Sequence, residues 1–228
     1  MVKNQHQDCI DTVENLSPHI TLHTETYTRS TKNTGDRAAR FIVHVLASTM
    51  DFLFQERYGH RAIVLETIAA VPGMVGGLLQ HLKSLRAIRT DNGKIQALLN
   101  EAENERMHLF IYSEIARPTT FERFLIMIVQ FFFYHLYFLL YLLSPRTAHR
   151  VVGYFEEQAI HSYEHYLALI KNNILENVPA PSSAITYWKL QSEAKLSDVI
   201  HATIKDEMLH RDVNHALAND AREISLWN

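Results

Sequence analysis

The sequence predicts an all-α fold: a four-helix bundle with two additional helices. Three observations carry that prediction. Seven Gly and 6 Pro in 228 residues leave long stretches free of helix breakers. Apolar residues recur at helical spacing through most of the chain. Two copies of one pattern, Glu105-Arg-Met-His108 and Glu207-Met-Leu-His210, each fall inside such a stretch. On a helix, positions i and i+3 share a face, with Cβ atoms roughly 5–6 Å apart. A carboxylate and an imidazole so placed can grip one metal ion.

The composition bounds the reading. A chain of this length holds one domain or at most two, and 47% hydrophobic residues supply a sizeable core. A net charge of −3 argues against nucleic acid as a partner. Histidine, at 14, is abundant enough for a metal protein. The single cysteine, Cys9, excludes an intramolecular disulfide and a Cys-based zinc site. Residues 1–34 are polar and carry Asp8, Asp11 and Glu14, with no apolar run of signal-peptide length. They read as a flexible N-terminal arm, not as an acid-poor import leader. Residues 35–220 read as the helical domain and 221–228 as a short tail.

The first helix is expected from Asp36 to Gln55. Phe41, Val45, Leu46, Phe52 and Leu53 make one side and Arg37, Arg40 and His44 another. Two readings stand: a helix packed on the bundle, or one lying in a membrane interface with a basic polar face. The second helix runs from Gly59 to Arg89 and holds one acid, Glu66, in an otherwise apolar segment. Burying an unpaired carboxylate costs several kcal/mol, so Glu66 requires a partner cation or metal. Pro72 predicts a kink, and Gly73, Gly76 and Gly77 permit close approach of a neighbour. Asp91-Asn-Gly93 is a turn. The third helix covers Lys94 to Arg117, with Glu105 and His108 in its apolar stripe, Glu103 off it, and its other charges mostly on a solvated face.

Residues 119–143 are almost unbroken apolar. Length alone admits a transmembrane span. Gln130, His135 and three tyrosines oppose it, and a span would put the two Glu-x-x-His helices on opposite sides of a bilayer. The segment is therefore expected as a long buried helix, packed on the bundle or on a second subunit. The fifth helix, Pro145 to Asn172, has Val152, Glu156, Ala159, Ile160, Tyr163 and Leu167 on one stripe, and Glu157, His161 and Glu164 on the opposite, polar face. The period thus selects Glu156 over Glu157 as the inward acid. Residues 173–194 read as a connector, extended at Val178-Pro-Ala-Pro-Ser-Ser183 and followed by Tyr187-Trp188. The last helix covers Lys195 to Asn219, with Glu207, His210 and Asn214 on one face.

Each half therefore offers a lone inward Glu and a Glu-x-x-His: Glu66 with Glu105 and His108, Glu156 with Glu207 and His210. That is the ligand set of a ferritin-like four-helix bundle with a dinuclear metal core. Oxygen and imidazole donors without sulfur suit Fe or Mn. Four carboxylates balance two Fe²⁺ ions. Asn104 and Asp206 precede the two motif glutamates in matching positions, from which they would orient the ligand imidazoles.

Longer stretches carry a resemblance. Leu65-Glu-Thr-Ile-Ala-Ala-Val-Pro-Gly-Met-Val-Gly-Gly77, Asn104-Glu-Arg-Met-His108, Gly153-Tyr-Phe-Glu-Glu-Gln-Ala-Ile-His-Ser-Tyr163, Asn177-Val-Pro-Ala-Pro181 and His210-Arg-Asp-Val-Asn-His215 resemble the alternative oxidases. These are cyanide-insensitive di-iron ubiquinol oxidases of respiratory membranes. The resemblance implies oxidation of two quinols with reduction of O₂ to two waters, without proton pumping. It implies two Fe ions on the six residues above and a redox role for Tyr163 beside them. It implies a quinol pocket at Arg61, Leu65, Ala159 and Ser162, with Arg61 and Ser162 bonding the head group. It also implies a homodimer and monotopic association with one leaflet of a lipid bilayer, through the first and fourth helices.

Three positions depart from the family pattern. Gln158 stands for the third acid of the Glu156 motif, Ser162 for the usual Thr, and Ala47 for a common Arg four residues before Asp51. Ala47 alters one wall of the quinol entrance. Rival readings are a plastoquinol terminal oxidase and a soluble ferritin-like iron-handling protein. The acidic arm directly after Met1 favours a bacterial inner membrane, at its cytoplasmic face; a removed leader would place the chain at the matrix face of the mitochondrial inner membrane.

Overall fold

The computed structural model describes residues 20, 22–54, 57–220 and 225–226. Among these lie seven helices: α1 Thr34–Phe54, α2 Tyr58–Ala87, α3 Lys94–Ala116, α4 Thr120–Leu143, α5 Pro145–Lys171, α6 Ser182–Trp188 and α7 Leu196–Asn219. Cys9 and most of the C-terminal tail lie outside the described residues.

Local chemistry sets the helix ends. The turn before α3 closes on Gly93 at φ 82°, a left-handed conformation that glycine adopts without a Cβ penalty. Thr119 caps α4 through a reciprocal pair with Glu122. Ser144 caps α5, with Pro145 in its first turn.

The bundle is two helix pairs. α2 packs along α3 and α5 along α7, and the pairs meet through α2 with α5 and α3 with α7. α1 lies on α5, and α4 on α2 and α5. α2 runs as one helix through Pro72. Gly73 explains how closely α3 approaches: a Cβ there would clash with the Leu98 carbonyl oxygen. One apolar core, including Ile63, Ile111, Tyr112, Ile160, Tyr163 and Ile200, closes one end of the bundle.

Two expectations change. The segment at 119–143 is helical but not buried. Tyr137 and Tyr141 alone are buried in α4, while Phe132, Leu136 and Leu143 are 61%, 67% and 84% exposed. The helix lies along the outside of the bundle, so only one edge finds protein. The connector contains a short helix, α6, because Pro181 sets an extended N-cap from which Ser182 to Trp188 can turn. The described part of the N-terminal arm is tied down. Asp212 accepts hydrogen bonds from the His23 N–H (2.6 Å) and the Tyr27 hydroxyl (2.9 Å). The Arg29 N–H donates to Glu157 at 2.9 Å.

Candidate metal centre

Four helices deliver the six inward residues. Glu66 comes from α2, Glu105 and His108 from α3, Glu156 from α5, and Glu207 and His210 from α7. None exceeds 2% exposure. Glu66, Glu105, His108 and Glu207 each offer one ligand atom within 4.8 Å of the others. His210 Nδ1 joins them, 2.6 Å from Glu105 Oε1 and 3.2 Å from Glu207 Oε2. Glu156 stands slightly apart. Neither of its buried carboxylate oxygens has a hydrogen-bond partner among the described residues. A chain that buries four converging carboxylates, one wholly without a partner, requires positive charge in their midst. Oxygen and imidazole donors in this number fit two divalent cations.

The electrostatics agree. Burial, then the charges of Glu105 and Glu207, pushes Glu66 well above the carboxylate range. Burial, then Glu207 and Glu105, does the same to Glu156. Burial would raise Glu105 too, but His210 and His108 beside it bring it below the usual range. Burial alone would lower His108; hydrogen bonds to Asp206, Glu105 and Glu207 more than reverse that and hold it well above an ordinary imidazole. Without metal, protons do the work of cations here, and metal binding would displace them.

The surrounding shell is asymmetric. His108 turns Nδ1 toward the carboxylates and Nε2 toward Asp206, 3.1 Å away. The same Asp206 oxygen accepts from Trp188 Nε1 at 2.8 Å and Asn104 Nδ2 at 3.0 Å. Asn104 also donates to the Tyr187 hydroxyl at 2.6 Å. Asp206 faces an imidazole, while Asn104 bonds Asp206 itself and the Tyr187 hydroxyl of α6. The Tyr163 hydroxyl donates to Glu66, and its ring stacks on Tyr112 with centroids 5.4 Å apart.

The quinol residues are less convergent. Arg61 pairs with Asp51 of α1. Leu65 is buried with Ile68, Tyr154 and Phe155. Ala159 and Ser162 are buried one turn apart on α5. The cavities along α2, one at Thr67 to Met74 and a small one at Ile63 and Val64, are lined by none of the four. Gln158 is exposed, outside the site.

Two acids expected on solvated faces are buried. Glu157, 7% exposed, accepts from the Arg29 N–H and lies 3.0 Å from His215 Nε2. The period reading assumed one outward side to α5, but α1 and the N-terminal segment cover it. Glu101, 3% exposed, bonds Asn214. Its signal was present: it lies four residues before Glu105, one turn along the same face.

The model of the alternative oxidase family matches residues 19–219. "Ubiquinol oxidase 2, mitochondrial" of Arabidopsis thaliana is 54% identical over 191 residues, covering 84% of this chain and 54% of that protein. The Glycine max protein of the same name is 51% identical over 201 residues, covering 88% and 59%. "Ubiquinol oxidase, mitochondrial" of Batrachochytrium dendrobatidis is 52% identical over 184 residues, covering 81% and 58%. The chain therefore spans a little over half the length of these relatives. The all-helical bundle, the buried Glu/His site and a family match over nearly the whole chain agree: this protein belongs to the alternative oxidase family.

Proposed function

We propose that this chain is a membrane-surface ubiquinol oxidase, oxidising two quinols and reducing one O₂ to two waters. The carrying observation is the buried site where Glu66, Glu105, His108 and Glu207 converge, with Glu156 unpartnered beside them. Glu66, Glu105, His108, Glu156, Glu207 and His210 would hold two iron ions. Bound iron supplies the one-electron steps and the O₂ affinity that side chains lack. The remaining work falls to the chain. Asp206 fixes His108 with Nδ1 facing inward. Tyr163 holds its phenolic proton on Glu66, next to the site, where it can be given up together with an electron. Burial and the Glu66 charge keep that phenol protonated far above neutral pH. Arg61 and Ser162 would bond the quinol head group, with Leu65 and Ala159 as apolar walls. Two quinols supply the four electrons and four protons that turn one O₂ into two waters, and the family resemblance implies that no further protons are pumped.

The apolar sides of α1 and α4 support attachment to one leaflet. Phe41 and Phe52 of α1 are 68% and 80% exposed, and Phe132 and Leu136 of α4 are 61% and 67% exposed. A bacterial location and the mitochondrial one in the relatives' names make the same demand on that surface. Exposed Met74, Leu78, Leu82 and Leu85 on α2 offer a second apolar face, which a homodimer would cover. A soluble iron store would have no use for either face. The relatives' names favour ubiquinol over plastoquinol.

Oxygen consumption by membranes carrying the protein tests the reading. Added ubiquinol is expected to drive uptake that persists in cyanide. Uptake that cyanide abolishes, or none, would overturn it.

A further inference from the structure

Beside the six metal-facing residues runs a polar line that the proposed reaction does not use. Glu101 sits on α3, one turn before Glu105. Both of its carboxylate oxygens accept from Asn214 Nδ2, at 3.0 and 2.9 Å. The Asn214 amide is fixed in direction. Its Nδ2 also donates to the His210 carbonyl at 3.0 Å, and its Oδ1 lies 2.9 Å from His149 Nδ1. Burial brings His149 down to about 4, so its ring is neutral at neutral pH. With Nδ1–H donating to Asn214, Nε2 is left to accept from the Tyr141 hydroxyl at 2.9 Å. Gln80 Nε2 donates to the same hydroxyl oxygen at 3.1 Å. The line draws on α2, α4, α5 and α7, and it ends on an acceptor at position 101.

We propose that Glu101 is a charge-setting residue of the metal centre: a carboxylate held off the metals by Asn214, which biases a bound iron pair toward its more oxidised state. This rests on the six-residue metal reading above. Four carboxylates already balance two divalent ions. Glu101 brings a further negative charge into the same dry core. Oxidising either ion adds positive charge, and a nearby fixed negative charge favours that form. Glu101 lies within the field of His210, Glu105 and Glu207, and Glu156 lies within the field of Glu101. These groups, with neutral His149, face it from α3, α5 and α7. Burial raises Glu101 in the metal-free chain, and cations bound beside it would hold it ionised. Asp206 differs, because its charge is engaged by His108, Trp188 and Asn104.

Asn214 needs only an acceptor, so a glutamine at 101 can keep the hydrogen bond and lose the charge. That separates charge from structure. The test is a redox titration of the iron-loaded full chain, with dithionite and mediators, reading the ferrous fraction by Mössbauer spectroscopy. At the native midpoint, Glu101→Gln is expected to raise the ferrous-to-ferric ratio about tenfold, and Glu101→Asp to leave it within about twofold. A Glu101→Gln chain that titrates like the native one overturns the proposal. So does a Glu101→Asp chain that shifts as far as the glutamine chain. Iron content is measured first on each chain. A native chain without iron sinks the metal reading itself. A native chain with iron and a glutamine chain without it overturns this proposal alone, since a residue that only sets charge is not needed for loading.

Discussion

A buried carboxylate can be protonated, paired with a cation or bound to a metal, and each state leaves a different trace. Glu157 is paired: His215 and the Arg29 N–H hold it. Glu156 has neither pair nor hydrogen bond, which leaves a proton or a metal. Replacing Glu105 or His210 with Ala removes a donor from the middle of the site. Either change is expected to abolish ubiquinol oxidation and to lower the iron content, read by metal analysis and oxygen uptake. Full activity in either chain would remove that residue from the site. Tyr163→Phe should retain iron and lose turnover, since only the phenolic hydroxyl on Glu66 is gone; unchanged turnover would leave Tyr163 a packing role. Asp206→Ala should weaken iron binding by about 10–100-fold, the usual cost of losing an imidazole's supporting partner. The six inward residues were legible as buried because period and polarity agree at each of them. Glu101 could have been read too, one turn before Glu105 on its inward face; Glu157 could not, since helical period alone cannot say whether a second layer covers the far face.

At the level of the helices, close approach and exposure decide what can change. The Gly73 contact with the Leu98 carbonyl lets α2 and α3 bring Glu66 and Glu105 together. Gly73→Ala must push these helices apart. A loss of about 1–3 kcal/mol in unfolding free energy is expected, with weaker iron binding, measurable by denaturant titration. α4 poses the opposite case. Its sequence is apolar all round, a pattern shared by a core helix, a membrane span and a helix lying on lipid. No periodicity separates these. Only its position against α2 and α5 shows that one edge meets protein while Phe132 and Leu136 face outward. Asp at both positions is expected to move the protein from the membrane to the soluble fraction with helix content unchanged by circular dichroism. Continued membrane retention would assign the attachment elsewhere. α6 escaped the sequence reading for a different reason: seven residues are too few to display a period.

For the molecule as a whole, iron and protons compete for one site. Glu66, Glu156 and His108 all bind protons more tightly in the folded metal-free chain than in the unfolded one. Folding without metal therefore takes up protons, and stability falls as pH rises above the ordinary carboxylate value. Glu105 works the other way, but only below that value. Chelated protein is thus expected to melt at a lower temperature at pH 8 than at pH 6, by about several degrees. Iron-loaded protein should not show this decline, since metal replaces the protons. Equal melting of both forms across that range would contradict the charge assignment. The N-terminal segment bears on a practical matter, where the chain can be cut. The Arg211 guanidinium is fully buried and donates to the backbone carbonyls of His23 and Glu25 at 3.2 Å, with its charge over the Tyr27 ring at 4.0 Å. Removing those residues would leave a buried cation short of acceptors. The smallest autonomously folding unit therefore starts some ten residues ahead of the first helix, near residue 22, and expression trials that begin at residue 34 should yield aggregated protein where those beginning at 20 do not.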